Sequence, residues 1–211
     1  MKVLVISPHP DDETLCCGGS ILNHVRRGDK VTVVIVTDGR YGSPSPELRG
    51  TDELVELRKK EALMATSKLG VEDVRFLNFE DSKVMINQDK IIKKIASVIG
   101  EGQDLIYSPL PMDGHQDHAS LGRIMTKLAP TSLFYLIWIP SGLKAHSRRV
   151  GLIKLRNWER IEKDIEKFRE VKLRALEEYK SQLGGFSGDF LRRLTADHER
   201  FYRRPLSALR R

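Results

Sequence analysis

The run Val31–Thr37 (VTVVIVT) is apolar almost throughout and shows no alternation of polar positions. A strand with that pattern has both faces covered, the condition of a strand inside a parallel sheet flanked by helices. Lys2–Ser7 (KVLVIS) is a second β-branched run, and Val74–Phe79, Asp104–Ser108 and Ser132–Ile139 supply three more. Helical stretches separate them: Leu15–Arg27 stopped by Gly28, Thr51–Leu69 stopped by Gly70, Lys90–Ile99 closed by Gly100, and His118–Leu128. The second of these has Thr51 or Asp52 as cap and an apolar stripe of Leu54, Leu57, Ala62, Ala65 and Leu69. Strand and helix in alternation predict an α/β fold, a Rossmann-like and mainly parallel sheet of about five strands with helices on both faces. In the common strand order 3-2-1-4-5, strands 1 and 4 are neighbours at the topological switch point, beyond whose C-terminal ends ligands bind.

The rest of the chain reads differently. From about Leu152 the residues Leu155, Trp158, Ile161, Ile165, Phe168, Lys172 and Leu176 recur at threes and fours, which predicts a long amphipathic helix and a C-terminal helical extension. The expected organisation is a catalytic unit over residues 1–150 and a basic extension of the same domain over 151–211. The net charge of +7 is concentrated there: residues 1–143 hold 17 Lys+Arg against 19 Asp+Glu, and residues 144–211 hold 19 against 10. Such a tail could meet nucleic acid or an anionic surface, but its ten acids favour a solvated face laced with ion pairs. A long amphipathic helix also makes a homo-oligomer the expected assembly, with no specific nucleic-acid or membrane partner.

Cys16 and Cys17 are adjacent inside a predicted helix, where an internal disulfide has no workable geometry. Two unpaired thiols fit a reducing, cytoplasmic setting. The N-terminal apolar run stops at Ser7-Pro8, too short for a signal segment or a membrane span.

Two clusters carry the chemistry. Pro8-His9-Pro10-Asp11-Asp12-Glu13 follows the first strand, and Asp113-Gly114-His115-Gln116-Asp117-His118 follows the fourth. Either one alone is equally compatible with a helix start whose aspartates favour the helix dipole. Together, at the ends of strands expected to be neighbours, they form one inventory of imidazoles and carboxylates without thiolates. That inventory suits a catalytic zinc with an open position. The loop Asp38–Gly50, with Gly39, Gly42, Pro44, Pro46 and Gly50, is long enough to be functional, and its Tyr41 is a candidate for substrate contact. Glu13 reads as a helix N-terminal carboxylate, and His24, His146 and His198 as isolated structural residues.

The pair of motifs resembles the LmbE/PIG-L family of zinc-dependent deacetylases, which remove acetyl groups from N-acetylglucosamine units. Leu57-Arg58-Lys59-Lys60-Glu61-Ala62 through Leu69-Gly70-Val71, then Phe76-Leu77 up to Asp81, resemble further family segments. So do Lys172, Ala175-Leu176, Tyr179 and Ser181-Gln182, and finally Glu199-Arg200-Phe201. The resemblance implies Zn2+ as cofactor, with His9, Asp12 and His118 as its ligands. It implies Asp11 as general base, and His115 as the group that stabilises the tetrahedral oxyanion or protonates the leaving amine. Asp117 would orient and charge His115, Arg58 and Asp81 would hold sugar hydroxyls, and the substrate would be an N-acetylated amino-sugar small molecule. Ligand types alone leave a metal-dependent hydrolase of another amide or of a phosphoester as the rival reading. A basic nucleic-acid-binding module is a more distant one.

Overall fold

A computed structural model describes residues 1–139 and 155–205. In chain order the elements of the first part are β1 (Lys2–Ser7), α1 (Asp12–Arg26), β2 (Lys30–Thr37), α2 (Asp52–Lys68), β3 (Asp73–Phe79), α3 (Gln88–Ile99), β4 (Leu105–Pro109), α4 (Gln116–Leu128) and β5 (Leu133–Tyr135). From residue 155 on come β6 (Glu159–Asp164), a 3-10 turn at Glu166–Phe168, α5 (Arg169–Leu176), α6 (Lys180–Leu183), α7 (Gly188–Leu194) and β7 (His198–Arg203). The sheet has seven strands in the order β3-β2-β1-β4-β5-β7-β6. Its first five are parallel, as the alternation of strand and helix implies, and β1 lies between β2 and β4 with Val3 opposite Leu105 and Val5 opposite Tyr107.

Strand periodicity divides the core. Val3, Val5, Val31, Val33 and Ile35 face Leu15, Cys17 and Ile21 of α1 and Ala62 and Ala65 of α2. Leu4, Ile6, Val34 and Val36 face Ile91, Ile95 and Val98 of α3 and Leu121, Ile124 and Met125 of α4. Every strand residue from Val3 to Ile6 is fully buried, which is why the run carries no polar alternation. The two longest helices stop where the sequence places glycine. Gly70, at φ 77°, takes the left-handed turn that lets Val71 N–H reach back to Thr66 O at 3.0 Å.

The C-terminal third departs from the expected long helix and raises the strand count from about five to seven. Residues 159–164 form an edge strand paired antiparallel to β7, which is itself antiparallel to β5. The alternation Glu159, Ile161, Lys163 against Arg160, Glu162, Asp164 suits an edge. The non-local pairing with His198–Arg203 therefore overrides a helical spacing that the apolar residues share by coincidence. A helix resumes only at Arg169, and the argument for a homo-oligomer from one long amphipathic helix falls with that helix. Ile139 lies beyond β5, which ends at Tyr135, and His146 lies outside the described residues. Much of the positive charge is paired: Arg160 and Arg200 with Glu162, Arg203 with Glu159, Arg174 with Glu170, and Arg192 with Asp189. No helix among the described residues is long and apolar enough to cross a membrane.

What the C-terminal third does is cover α1. Lys172 is fully buried and donates to Glu199 Oε1 at 2.8 Å; the same carboxylate accepts the N–H groups of Gly19 and Ser20 at 2.8 and 2.9 Å. Approach this close needs glycine on α1, since a Cβ on Gly19 would stand 2.6 Å from Ile165 Cβ.

Candidate active site

The loop after β1 is held from several sides. Thr37 of β2 donates both N–H and Oγ1 to Pro8 O at 2.9 Å, and Ser7 Oγ donates to His9 O at 2.9 Å. Asp12 opens α1 and turns its Oδ2 back to accept His9 N–H at 2.9 Å. On the neighbouring strand end, His115 caps α4 and places His118 on the first turn. Parallel pairing of β1 with β4 brings the two clusters together, as the expected strand order requires.

The outcome is a triangle of nitrogen and oxygen atoms. His9 Nδ1 lies 3.2 Å from Asp12 Oδ2 and 3.1 Å from His118 Nε2, and His118 Nε2 lies 3.2 Å from Asp12 Oδ2. Ligand atoms bound at about 2.0–2.1 Å to one tetrahedral ion stand roughly 3.3 Å apart, so these residues fit a metal ion. The far nitrogens also face carboxylates. His9 Nε2 is 3.2 Å from Asp81 Oδ1 and 3.4 Å from Asp117 Oδ2, and His118 Nδ1 is 3.6 Å from Asp113 Oδ2. A carboxylate behind a histidine ligand orients the ring and raises its basicity. Electrostatics agree. Burial lowers the pKa of both histidines, yet the carboxylates outweigh it: His9 is driven well above its ordinary value by Asp117, Asp12 and Asp81, and His118 is raised to about 9 by Asp12 and Asp113. Burial likewise opposes ionisation of Asp12, but His118 and His9 hold it well below the carboxylate range. The cluster calls for positive charge.

Asp11 stands beside the triangle. Its backbone has φ 122° and ψ −31°, a region L side chains rarely adopt. Arg58, from α2, donates to Pro10 O at 2.5 Å, to Gly39 O at 2.7 Å and to Asp11 Oδ2 at 3.1 Å. Burial raises the Asp11 carboxyl to about 8, against the pull of Arg58 and with Asp12 adding to the rise. This carboxyl can take up a proton near neutral pH. The His115 ring lies edge-on to His9, with centroids 4.8 Å apart, and its pKa is lowered by burial and by His9 and His118. Its Nδ1 accepts Asp117 N–H at 3.2 Å, which leaves the ring proton on Nε2.

Four of these residues are also engaged by other protein groups. The Asp117 carboxylate accepts Ser82 N–H at 2.7 Å and Val84 N–H at 3.3 Å and faces His9, while its backbone N–H donates to His115 Nδ1 and its charge works to raise the His115 pKa. Arg58 and Asp81, expected at sugar hydroxyls, line the cleft but engage protein groups: Arg58 holds Asp11, and Asp81 faces His9 and accepts Tyr41 N–H at 3.2 Å. Glu13, read as a helix-end carboxylate, is fully buried and accepts Asp11 N–H at 3.2 Å. His24 is structural as expected, between Asp29 at 2.7 Å and Tyr107 Oη at 3.0 Å.

The triangle opens onto a cleft of about 260 Å³ lined by His9, Asp11, Asp12, His115 and Asp81, with Tyr41 and Arg49 from the long loop. Part of its remaining wall is aromatic. Trp138 stacks on Phe190 with centroids 4.5 Å apart, and Phe186 on Phe190 at 4.9 Å. Sequence reasoning missed this wall, because its members are scattered along the chain without a local pattern. It missed Asp113 too, which braces the strand end by accepting the N–H groups of His115, Ile137 and Trp138 at 2.9, 2.8 and 3.2 Å. That residue's place in the second motif was a usable signal.

The profile of a family described as PIG-L, GlcNAc-PI de-N-acetylase, matches residues 4–129. The chain is 31% identical over 188 residues to a diacetylchitobiose deacetylase of Thermococcus kodakarensis, covering 86% of this chain and 70% of that protein. Its fold matches N,N'-diacetylchitobiose deacetylase from Pyrococcus horikoshii with a TM-score of 0.71 at 24% identity, covering 95% of this chain and 82% of that one. A 4-carboxy-2-hydroxymuconate hydratase from Pseudomonas putida also shares the fold, with a TM-score of 0.67 at 18% identity over 92% of this chain and 82% of that one. The fold by itself therefore does not choose the reaction.

Proposed function

The chain belongs to the PIG-L family of de-N-acetylases, and on that premise we propose a zinc-dependent enzyme that frees acetate from an N-acetylglucosamine-type amide in the cleft above His9, Asp12 and His118. It is an amide-hydrolysing enzyme of the N-acetylglucosaminyl deacetylase type. The observation that carries the zinc assignment is the triangle of two imidazole nitrogens and one carboxylate oxygen, 3.1–3.2 Å apart and free of thiolate. When bound there, a zinc ion would polarise the acetyl carbonyl and lower the pKa of water towards about 7.

The chain's own groups do the rest. Asp11 takes a proton from the attacking water, and Arg58 keeps its carboxylate aimed. His115, neutral and with its proton on Nε2, donates a hydrogen bond to the oxygen as it gains negative charge. Of the two roles open to His115, donor to the oxyanion is favoured. Protonating Nδ1 to make an acid of the ring would displace the Asp117 N–H from it. The departing nitrogen then receives its proton from Asp11, whose burial suits it to hold one. Asp81 and Asp117 steady the His9 ring, and contact of Arg58 and Asp81 with sugar hydroxyls is secondary to these duties. Two buried free thiols accord with a cytoplasmic setting.

Acetate release from N-acetylglucosamine and N,N'-diacetylchitobiose should stop on chelation and return with zinc. Activity unchanged by chelation would sink the metal assignment. Release of no acetate, with hydration of an unsaturated acid instead, would move the chain to the chemistry of the hydratase that shares its fold.

A further inference from the structure

We infer that Glu13 and Tyr179, which the proposed reaction does not use, are positioning residues that hold Asp11 in its strained backbone conformation; this rests on Asp11 being the base. A non-glycine residue at φ 122° persists only where its surroundings over-determine it. Around Asp11 they do. Its carbonyl accepts the N–H groups of Thr14 and Leu15 at 3.1 and 2.9 Å, and Arg58 grips the preceding carbonyl and the carboxylate. Its N–H is held by Glu13 Oε2 at 3.2 Å.

That last bond is the one set from a distance. In a capping box the third residue of a helix reaches back to the N–H before the helix. Here Glu13, the second residue of α1, does so with one oxygen, and its other oxygen takes further partners. Oε1 accepts Thr14 Oγ1 at 2.5 Å and the hydroxyl of Tyr179, 166 residues away. Glu13 and Tyr179 are both fully buried, so neither hydrogen bond competes with water. Tyr179 in turn leads into α6, where Ser181 donates its N–H and Oγ to Glu61 at 2.8 and 2.6 Å. Glu61 lies one turn after Arg58 on α2. Both grips on Asp11, at its N–H through Glu13 and at its carboxylate through Arg58, are thus referenced to one short C-terminal segment.

The test is Tyr179→Phe, which removes the hydroxyl and keeps the ring. Misplacing a reacting group by about 1 Å costs roughly 100-fold, so kcat on N,N'-diacetylchitobiose should fall about 10- to 100-fold, with KM within twofold and metal content unchanged. An unchanged kcat, or a loss matched by loss of metal, overturns the inference. Glu13→Gln, which keeps a carbonyl to accept Asp11 N–H, should retain most of the kcat that Glu13→Ala loses. If Gln is as poor as Ala, charge rather than position is at work and the inference fails. A wild type that releases no acetate counts against the deacetylase reading instead. The inference is then decided by the Asp11 amide resonance in 15N-labelled protein, which must move in Tyr179→Phe.

Discussion

Two adjacent aspartates of the first motif meet opposite environments. Asp12 faces His9 and His118 and is held ionised; Asp11 faces Arg58 across a strained backbone and is raised to about 8 by burial. Consecutive residues diverge in direction, and at the start of α1 that divergence separates the proposed metal ligand from the proposed base. Asp11→Asn keeps the shape and removes the proton acceptor, so kcat should fall by about 10²–10⁴-fold with metal content intact by elemental analysis. Loss of metal from that variant would exchange the roles of the two residues. His115 shows why a role needs coordinates. Its sequence position leaves donor and acid equally open, and only the N–H of Asp117 on Nδ1 favours the first.

At the scale of elements, α1 joins the site to the C-terminal third. Residues 12–22 of this helix are buried, because the sheet covers one side and Ile165, Lys172 and Glu199 the other. Gly19→Ala would put a Cβ 2.6 Å from Ile165 Cβ and 2.7 Å from Ile165 Cγ2, so α1 and the segment carrying Ile165 would have to move apart. Overpacking of this kind costs about 1–3 kcal/mol, so thermal unfolding should shift down by several degrees. An unchanged melting temperature would mean that the C-terminal cover is loosely seated. Strands β1 and β2 were legible because two-sided burial imprints an apolar run on each. Strand β6 was not, because an edge strand carries charges on its open side and its partner, β7, lies dozens of residues downstream. The C-terminal motif residues Lys172, Tyr179, Ser181 and Glu199 were visible as a resemblance. Their work as clamps on α1 and α2 was not.

For the whole molecule, metal binding, protonation and folding are linked. The His118 pKa is raised from 6.5 to about 9 in the folded chain. A raised histidine contributes stability that is complete below its unfolded value and is lost as pH climbs through about 9. A histidine that binds metal must instead be neutral, so at the proposed site metal competes with protons for this ring. Metal uptake should therefore release protons, and apparent affinity should rise between pH 6.5 and about 9, as read by titration calorimetry in two buffers of different ionisation enthalpy. Affinity indifferent to pH would argue that a different group of residues binds the ion. Metal at a hundredfold excess over its Kd should add about 2.7 kcal/mol to stability.

By itself the sequence determined the layered α/β sheet and the two clusters at its strand ends, because burial periodicity and ligand chemistry are properties of short segments. The tertiary structure decided which atoms meet. Pairing of β1 with β4 closed the triangle of His9, Asp12 and His118, and the return of the chain through β6 and β7 placed Tyr179 behind Glu13. A hydrogen bond across 166 residues leaves no local pattern, since its energy depends on where the two groups arrive and not on the residues beside them in the chain.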